Sequence, residues 1–180
     1  GKNKAVIKIN STNTDGYGKV FVESYKKILA LNLTISDLDG DKSVFGYDGG
    51  NAEKSGGKFC ISGEFYVKSP RTWSISSPNL YEYTAEIFYA DGEKENLSGK
   101  FGFRTLGHDG KNLLVNGKPL FVRGYIRGAK AHDHANLLGL PLKEFYLKNL
   151  KEAKKFGFNF VRFHSVVPEE ELFEAADEAG

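Results

Sequence analysis

The apolar residues change their period once along this chain, across Phe101–Gly124 (FGFRTLGHDGKNLLVNGKPLFVRG), and that change limits the fold more than any other feature. Upstream the pattern is one of strands; downstream, strand and helix alternate. Phe101, Phe103 and Thr105 alternate with Gly102, Arg104 and Leu106, as expected for the last strand of a half-buried sheet. Gly107–Lys111 interrupts the pattern and Leu113–Val115 resumes it. Asn116-Gly117 is a two-residue hairpin signal, because both residues tolerate the positive φ that a type I′ turn requires. Leu120–Gly124 then reads as a second short strand. The stretch is therefore a domain end, a linker, a hairpin and a new domain start, dividing the chain into 1–107 and 108–180.

Residues 1–107 read as several short strands with no helical period, which argues for an antiparallel sandwich. Lys4–Asn10, Gly18–Tyr25, Ile28–Ile35, Phe59–Val67, Tyr81–Tyr89 and the strand at Phe101 are the expected strands. Leu29, Leu31, Leu33 and Ile35 fall on one face of the third. Gly46–Gly57 (GYDGGNAEKSGG) reads as a mobile surface loop. It is not a phosphate-binding loop: Lys58 is followed by Phe59 rather than Ser or Thr, and Ala52 stands where the earlier glycine is needed. Cys60 reads as a small core residue. Trp73 reads as a core tryptophan after a turn, with a sugar-stacking platform as the alternative if its ring is exposed.

In the last seventy or so residues, Leu142–Phe156 is an amphipathic helix. Leu142, Phe145, Tyr146, Ala153 and Phe156 share one side, with Leu150 at its edge, and Gly157 supplies the left-handed cap. Phe158–His164 follows as a strand. Phe158, Phe160, Arg162 and His164 lie on one of its faces, Val161 and Phe163 on the other. Pro168 opens a second helix at its first turn, with Glu169–Glu171 favourably placed near the N-terminal end. Leu172, Phe173, Ala176 and Ala179 form its packing stripe. Strand, helix, strand, helix is the repeat of a parallel sheet with right-handed crossovers.

The run GFR, a short linker, LLVNGKPLFVRG, then GFNFVRFHS and FEAADEAG resembles the junction in family 2 glycoside hydrolases, the group of β-galactosidases, β-glucuronidases and β-mannosidases. The resemblance extends back to Trp73, whose WSISSPNLYEY is similar to the family's entry into a sandwich strand. It implies a mainly β fold: an immunoglobulin-like antiparallel β-sandwich followed by the first two βα units of a (β/α)8 barrel. It also implies a fragment of a retaining β-glycosidase that hydrolyses O-glycosyl bonds in carbohydrates. In the family both catalytic carboxylates are glutamates on later barrel strands, the acid/base preceded by asparagine. No Asn-Glu pair occurs here, so no catalytic residue is assigned and the fragment is expected to be inactive. The alternative function is a non-catalytic sandwich module that binds carbohydrate or a protein partner.

Barrel enzymes place their sites at the C-terminal ends of the strands, so Arg162 and His164 become candidates for binding substrate hydroxyls or carboxylates. The sequence reads Arg162-Phe163-His164-Ser165 where much of the family reads Arg-x-Ser-His. Arg123-Gly124 matches the Arg-Gly that ends the first barrel strand, and Arg127 the arginine soon after. Ile126 and Gly128 stand where asparagine and histidine are usual. Gly128–Pro141 reads either as a plain solvated loop or as a loop at the mouth of the site that contacts sugar or a neighbouring domain, and the second reading makes His132 a further substrate-contact candidate; His132-Asp133-His134 is weak as a metal set.

Net charge is +2 from interspersed basic and acidic residues, which leaves no electrostatic footprint for nucleic acid. No run of apolar residues is long enough to span a membrane. No cofactor or metal is expected, and the partner is carbohydrate, reached through the parent protein. A chain that lacks methionine entirely is expected to be part of something longer. Two βα units cannot close a barrel, so the exposed partial barrel is expected to drive homo-oligomerisation. Light scattering at high concentration checks this: self-association is the expected result and a strict monomer contradicts it.

Overall fold

The computed structural model describes residues 4–49, 53–128 and 131–180, with backbone alone at 53–55 and 132. The chain divides into two compact units, Gly1–Thr72 with Leu80–Thr105, and Trp73–Asn79 with Leu106–Gly180.

The strands of the first unit are, in chain order, β1 (Val6–Asn10), β2 (Tyr17–Ser24), β3 (Ile28–Ser36), β4 (Lys42–Asp48), β5 (Glu53–Ser55), β6 (Lys58–Tyr66), β7 (Tyr81–Tyr89) and β8 (Lys94–Phe101). They form two four-stranded sheets, ordered β1-β2-β6-β5 and β4-β3-β7-β8. Every pairing in them is antiparallel. Alternation turns Val20 and Val22 of β2, with Ile61 and Phe65 of β6, toward one side. There they join Leu31, Leu33 and Ile35 of β3 and Ala85 and Ile87 of β7 in a single buried cluster. The result is the mainly β, antiparallel arrangement expected, consistent with a β-sandwich.

Several local expectations are corrected. Gly46–Gly57 is not a loop throughout: Gly46–Asp48 belongs to β4, and β5 pairs with β6 across Gly56-Gly57, both at positive φ. Positions 50–52 lie outside the described residues. Glycine in β4 hid the strand, but its aromatic residues are used: the Tyr47 ring lies over Gly63, where an added Cβ would come within 2.0 Å. Leu29 is exposed, because a bulge between Ile28 and Ala30 shifts the alternation and gives the inward place to Ile28. The last strand is β8, which ends at Phe101; its polar sequence carries little signal. Phe103, beyond the strand, is nevertheless fully buried against the Tyr81 and Phe101 rings, at 5.4 and 5.5 Å. Cys60 is half-buried rather than core, since Ile61 takes the inward position beside it.

In the second unit, β9 (Leu106–His108), β10 (Leu113–Val115) and β11 (Lys118–Leu120) make a small antiparallel sheet ordered β11-β10-β9. Its tight turn is Asn116-Gly117, at φ 51° and 73°, as the turn type demands. Then come β12 (Gly124–Arg127), α1 (Ala131–Leu137), α2 (Leu142–Lys155), β13 (Phe160–Phe163) and α3 (Glu170–Ala179). β12 and β13 are parallel neighbours. Ala131 and Ala135 of α1, Phe145 and Tyr146 of α2, and Leu172 and Ala175 of α3 form a separate core, on which Phe163 packs.

Here too the boundaries move. Residues 121–123 belong to neither strand, so the expected strand at Leu120–Gly124 is split between β11 and β12. The expected loop at Gly128–Pro141 holds α1, whose two buried alanines sit four residues apart on one helical face. Phe156 caps α2 outside the helical period and is 81% exposed, while Gly157 at φ 84° closes the helix as expected. α3 begins after Pro168, with Glu169 as an extended N-cap. Its buried stripe is Leu172, Ala175 and Ala179; Phe173 is exposed and Ala176 half-buried.

The core placement sets an expected stability pattern. Leu33→Ala, at a fully buried site, should cost about 2–5 kcal/mol in urea unfolding. Val44→Ala, 68% exposed on β4, should stay within about 0.5 kcal/mol. Equal costs at the two positions would contradict the packing described.

Candidate functional site

The β12–β13 pair has two unlike faces. Its register sets Gly124 beside Phe160, Tyr125 beside Val161, Ile126 beside Arg162 and Arg127 beside Phe163. Arg127 and Phe163 turn toward the helices: the Arg127 guanidinium lies 5.2 Å from the Phe145 ring centre and 5.9 Å from that of Tyr146. The opposite face carries Gly124, Ile126, Phe160 and Arg162, all exposed, with Ile126 at 65%. Phe158 lies before the strand and is not on that face; its ring packs 5.3 Å from Tyr125.

At the C-terminal end of the pair the chain turns a corner. The His164 amide donates to the Arg127 carbonyl at 2.9 Å, extending the ladder by one bond. Ser165 then takes φ 58°, a left-handed conformation unusual for serine, and its Oγ lies 3.2 Å from His164 Nδ1. Both ends of the following loop meet Tyr146. The Phe163 ring lies edge-on to it at 6.4 Å, and the Tyr146 hydroxyl donates to Glu169 Oε2 at 2.6 Å. Burial, and secondarily the neighbouring Glu169 carboxylate, pushes the Tyr146 hydroxyl well above its ordinary value.

The N-terminal end of the pair is held by Asn159. Its Oδ1 accepts the Arg123 amide at 2.8 Å and its Nδ2 donates to the Phe121 carbonyl at 2.9 Å. The Arg123 carbonyl in turn accepts the Asn159 amide at 2.9 Å, and Arg123 Nε donates to the Gly157 carbonyl at 2.6 Å. Asparagine thus replaces the strand ladder where β12 has not yet begun.

Of the four candidate binding residues, Arg162 and His164 come together at one end of the strand pair. Arg123 stands at the other, about 10 Å from the level of Arg162 and about 16 Å from that of His164 by strand rise, with its Nε committed to the end of α2. Gly124 begins β12 rather than ending it, because the paired stretch runs forward from there. His132 is on α1, and its side chain lies outside the described residues. The site is also shaped by Asn159 and Tyr146, which the sequence pattern does not mark as site residues. The available signal for the first is an asparagine, a poor strand former, as the second residue of the expected Phe158–His164 strand, and a tyrosine on an apolar stripe carries none for its hydroxyl.

Trp73 is buried, and its indole N–H donates to the Asp177 carbonyl at 2.7 Å, so it offers no exposed stacking plane. Asn116 Nδ2 donates to the Trp73 carbonyl at 2.9 Å. Lys154, its charge disfavoured by burial, donates to the carbonyls of Ile75 and of Ala179 at the end of α3. Several acids of α3 and its cap also have structural tasks. Glu174 and Glu178 both pair with Lys143 at 3.0 Å, and Glu169 holds Tyr146. The open face therefore presents a cation and an imidazole, which can donate to hydroxyl or carboxylate oxygens.

A sequence profile for glycosyl hydrolases family 2 matches residues 4–104, more than half of the 180-residue chain. The chain belongs to that family. The β-galactosidase of Kluyveromyces lactis is 32% identical over 117 residues, which is 63% of this chain and 11% of that protein. The β-galactosidase of Photobacterium profundum is 30% identical over 117 residues, 64% of this chain and 11% of that protein. The chain thus spans about a ninth of the length of these relatives. Among solved structures, Bifidobacterium dentium β-glucuronidase matches with TM-score 0.73 at 19% identity, over 99% of this chain and 30% of that one. Parabacteroides merdae β-glucuronidase matches with TM-score 0.72 at 20% identity, over 97% of this chain and 22% of that one. At such identities the likeness is one of fold.

The Tyr146–Glu169 bond gives an expected pH effect. A hydroxyl whose folded value is raised contributes stability that is present below the ordinary tyrosine value of 10.0 and lost as pH rises beyond it. Tyr146→Phe should cost about 1–2 kcal/mol at neutral pH, with a smaller cost in strong alkali. Urea unfolding of both proteins across this range checks it; a cost independent of pH would contradict the assignment.

Proposed function

We propose that this chain is part of a retaining β-glycosidase, with residues 1–107 as its sandwich and 108–180 as the first two βα units of a (β/α)8 catalytic barrel. The observation that carries this reading is the one-sided β12–β13 pair. Helices cover one face, and the other presents Arg162, with His164 at its C-terminal end. In a closed barrel the helix-free face becomes the interior, and the C-terminal ends carry the chemistry. Family membership supplies the reaction class, and relatives named as β-galactosidases support a carbohydrate substrate.

In this reading Arg162 and His164 bind substrate oxygens, Arg123 fixes the base of the strand, and Arg127 stiffens the site by lying over two rings. Retaining glycosidases need two carboxylates about 5–5.5 Å apart. The proposal takes both from parts of the protein beyond this chain, so the chain alone is inactive.

The test is hydrolysis of aryl β-galactoside, β-glucuronide, β-mannoside and β-glucoside by the full-length protein. Activity toward at least one is expected. Arg162→Ala should lower kcat/KM by about 10–100-fold, the worth of a charged hydrogen bond. Arg123→Ala should leave kcat/KM nearly unchanged at temperatures where the protein stays folded. Inactivity toward all four, or a larger loss at Arg123 than at Arg162, would contradict the reading.

A further inference from the structure

The outer face of the β1-β2-β6-β5 sheet has a pattern that the glycosidase reading does not use. Alternation that sends Val20, Val22, Ile61 and Phe65 inward sends Tyr17, Lys19 and Phe21 of β2, and Glu64 and Tyr66 of β6, outward. Tyr17 and Tyr66 face each other across the ladder. Their ring centres are 4.8 Å apart with planes at 44°, and they are 60% and 45% exposed. The next outward row is polar: Asn10, Lys19 and Glu64 stand side by side, the last two joined as an ion pair at 2.8 Å. Phe21, 42% exposed, follows on the row after that, about 14 Å from the tyrosines by strand rise.

The tyrosine end of this face is rigidly made. Gly16 at φ 92° delivers the chain into β2 where a side chain would collide with the Val67 carbonyl, 2.1 Å from an added Cβ. The Val67 amide bonds the Gly16 carbonyl at 2.9 Å, and the Tyr17 amide bonds Asp15 Oδ1 at 3.2 Å. The rings are thus carried by paired strands and a fixed turn, with little ordering left to do on binding.

We propose that this face binds a neutral oligosaccharide, stacked on Tyr17 and Tyr66 and reaching along β2 toward Phe21. A pyranose ring presents a flat array of C–H groups to the electron-rich faces of aromatic rings, while its rim carries hydroxyls that both donate and accept. The Asn10, Lys19 and Glu64 row supplies both functions, and its ion pair is internally neutral, which suits an uncharged ligand. Spacing between the aromatic stations fits a chain of sugars rather than a monosaccharide. The glycosidase reading supplies the ligand class, and the platform would hold a polymer that the catalytic barrel acts on.

The test is affinity electrophoresis of the full-length protein in native gels containing galactan, galactomannan, xyloglucan or mixed-linkage β-glucan. Aryl β-glycoside hydrolysis is measured on the same preparations. At least one polymer should retard the wild type. Tyr17→Ala with Tyr66→Ala should weaken that retardation about ten-fold or more, as two lost ring contacts would. The corresponding double Phe variant should keep it, and aryl-glycoside kcat/KM should be the same in all three proteins. Absence of retardation in every polymer, or retardation that survives the double Ala variant, overturns the proposal. Tyrosine-dependent retardation without aryl-glycoside hydrolysis would uphold the platform while removing the glycosidase reading.

Discussion

The parallel register of β12 on β13 is the constraint on which the second unit depends. Strand side chains alternate, so a slip of one residue would move Arg162 from the open face to the helix side and bring Phe163 out. Short parallel pairs have few ladder bonds to resist such a slip. The amide of Asn159 provides the missing hold, bonding the Arg123 amide and the Phe121 carbonyl where the ladder has not begun. At the other end, the His164 amide on the Arg127 carbonyl continues the pairing into the corner at Ser165. Tyr146, fully buried, touches both the strand end at Phe163 and the helix cap at Glu169. Register and corner are thus fixed by side chains remote from the open face.

The same geometry separates charges by task. Arg127 is half-buried and lies over aromatic rings on the helix side of the pair, an arrangement that favours its cation. Arg123 closes the helix end at Gly157, where a cation complements the carbonyls of the last turn. Lys143 draws two α3 carboxylates onto α2, and its ammonium is held above its ordinary value by Glu178 and then Glu174. What is left on the open face is Arg162, with His164 at its end. The catalytic proposal rests on that contrast.

Much of this was legible from periodicity. The β2, β3, β6 and β7 strands, the Asn116-Gly117 turn, α2 with its Gly157 cap, and the alternation of Val161 and Phe163 against Phe160 and Arg162 all follow local rules that the structure obeys. Failures came where tertiary pairing outweighed local signal. The β4 strand carries a glycine and β8 is mostly polar, yet both are recruited as edge strands by a neighbour that supplies the hydrogen bonds. A bulge at Ile28–Ala30 reverses the expected inward residue, and nothing in the regular alternation of Leu29, Leu31, Leu33 and Ile35 announces such a shift. By sequence Arg123 and Arg162 both fall at C-terminal strand ends, Arg123 through the resemblance of Arg123-Gly124 to an Arg-Gly that ends a strand. Only the pairing shows that they occupy opposite ends.

The central claim is that the face bearing Arg162 is the inside of a catalytic barrel, with substrate at the His164 end. The most direct measurement is a crystal structure of the full-length protein with a covalent sugar-derived glycosidase inhibitor in place. The account predicts a closed barrel in which the sugar lies within hydrogen-bonding distance of the Arg162 guanidinium. A sugar bound at the Arg123 end, or an open face of β12 and β13 covered by something other than further parallel strands, would contradict it.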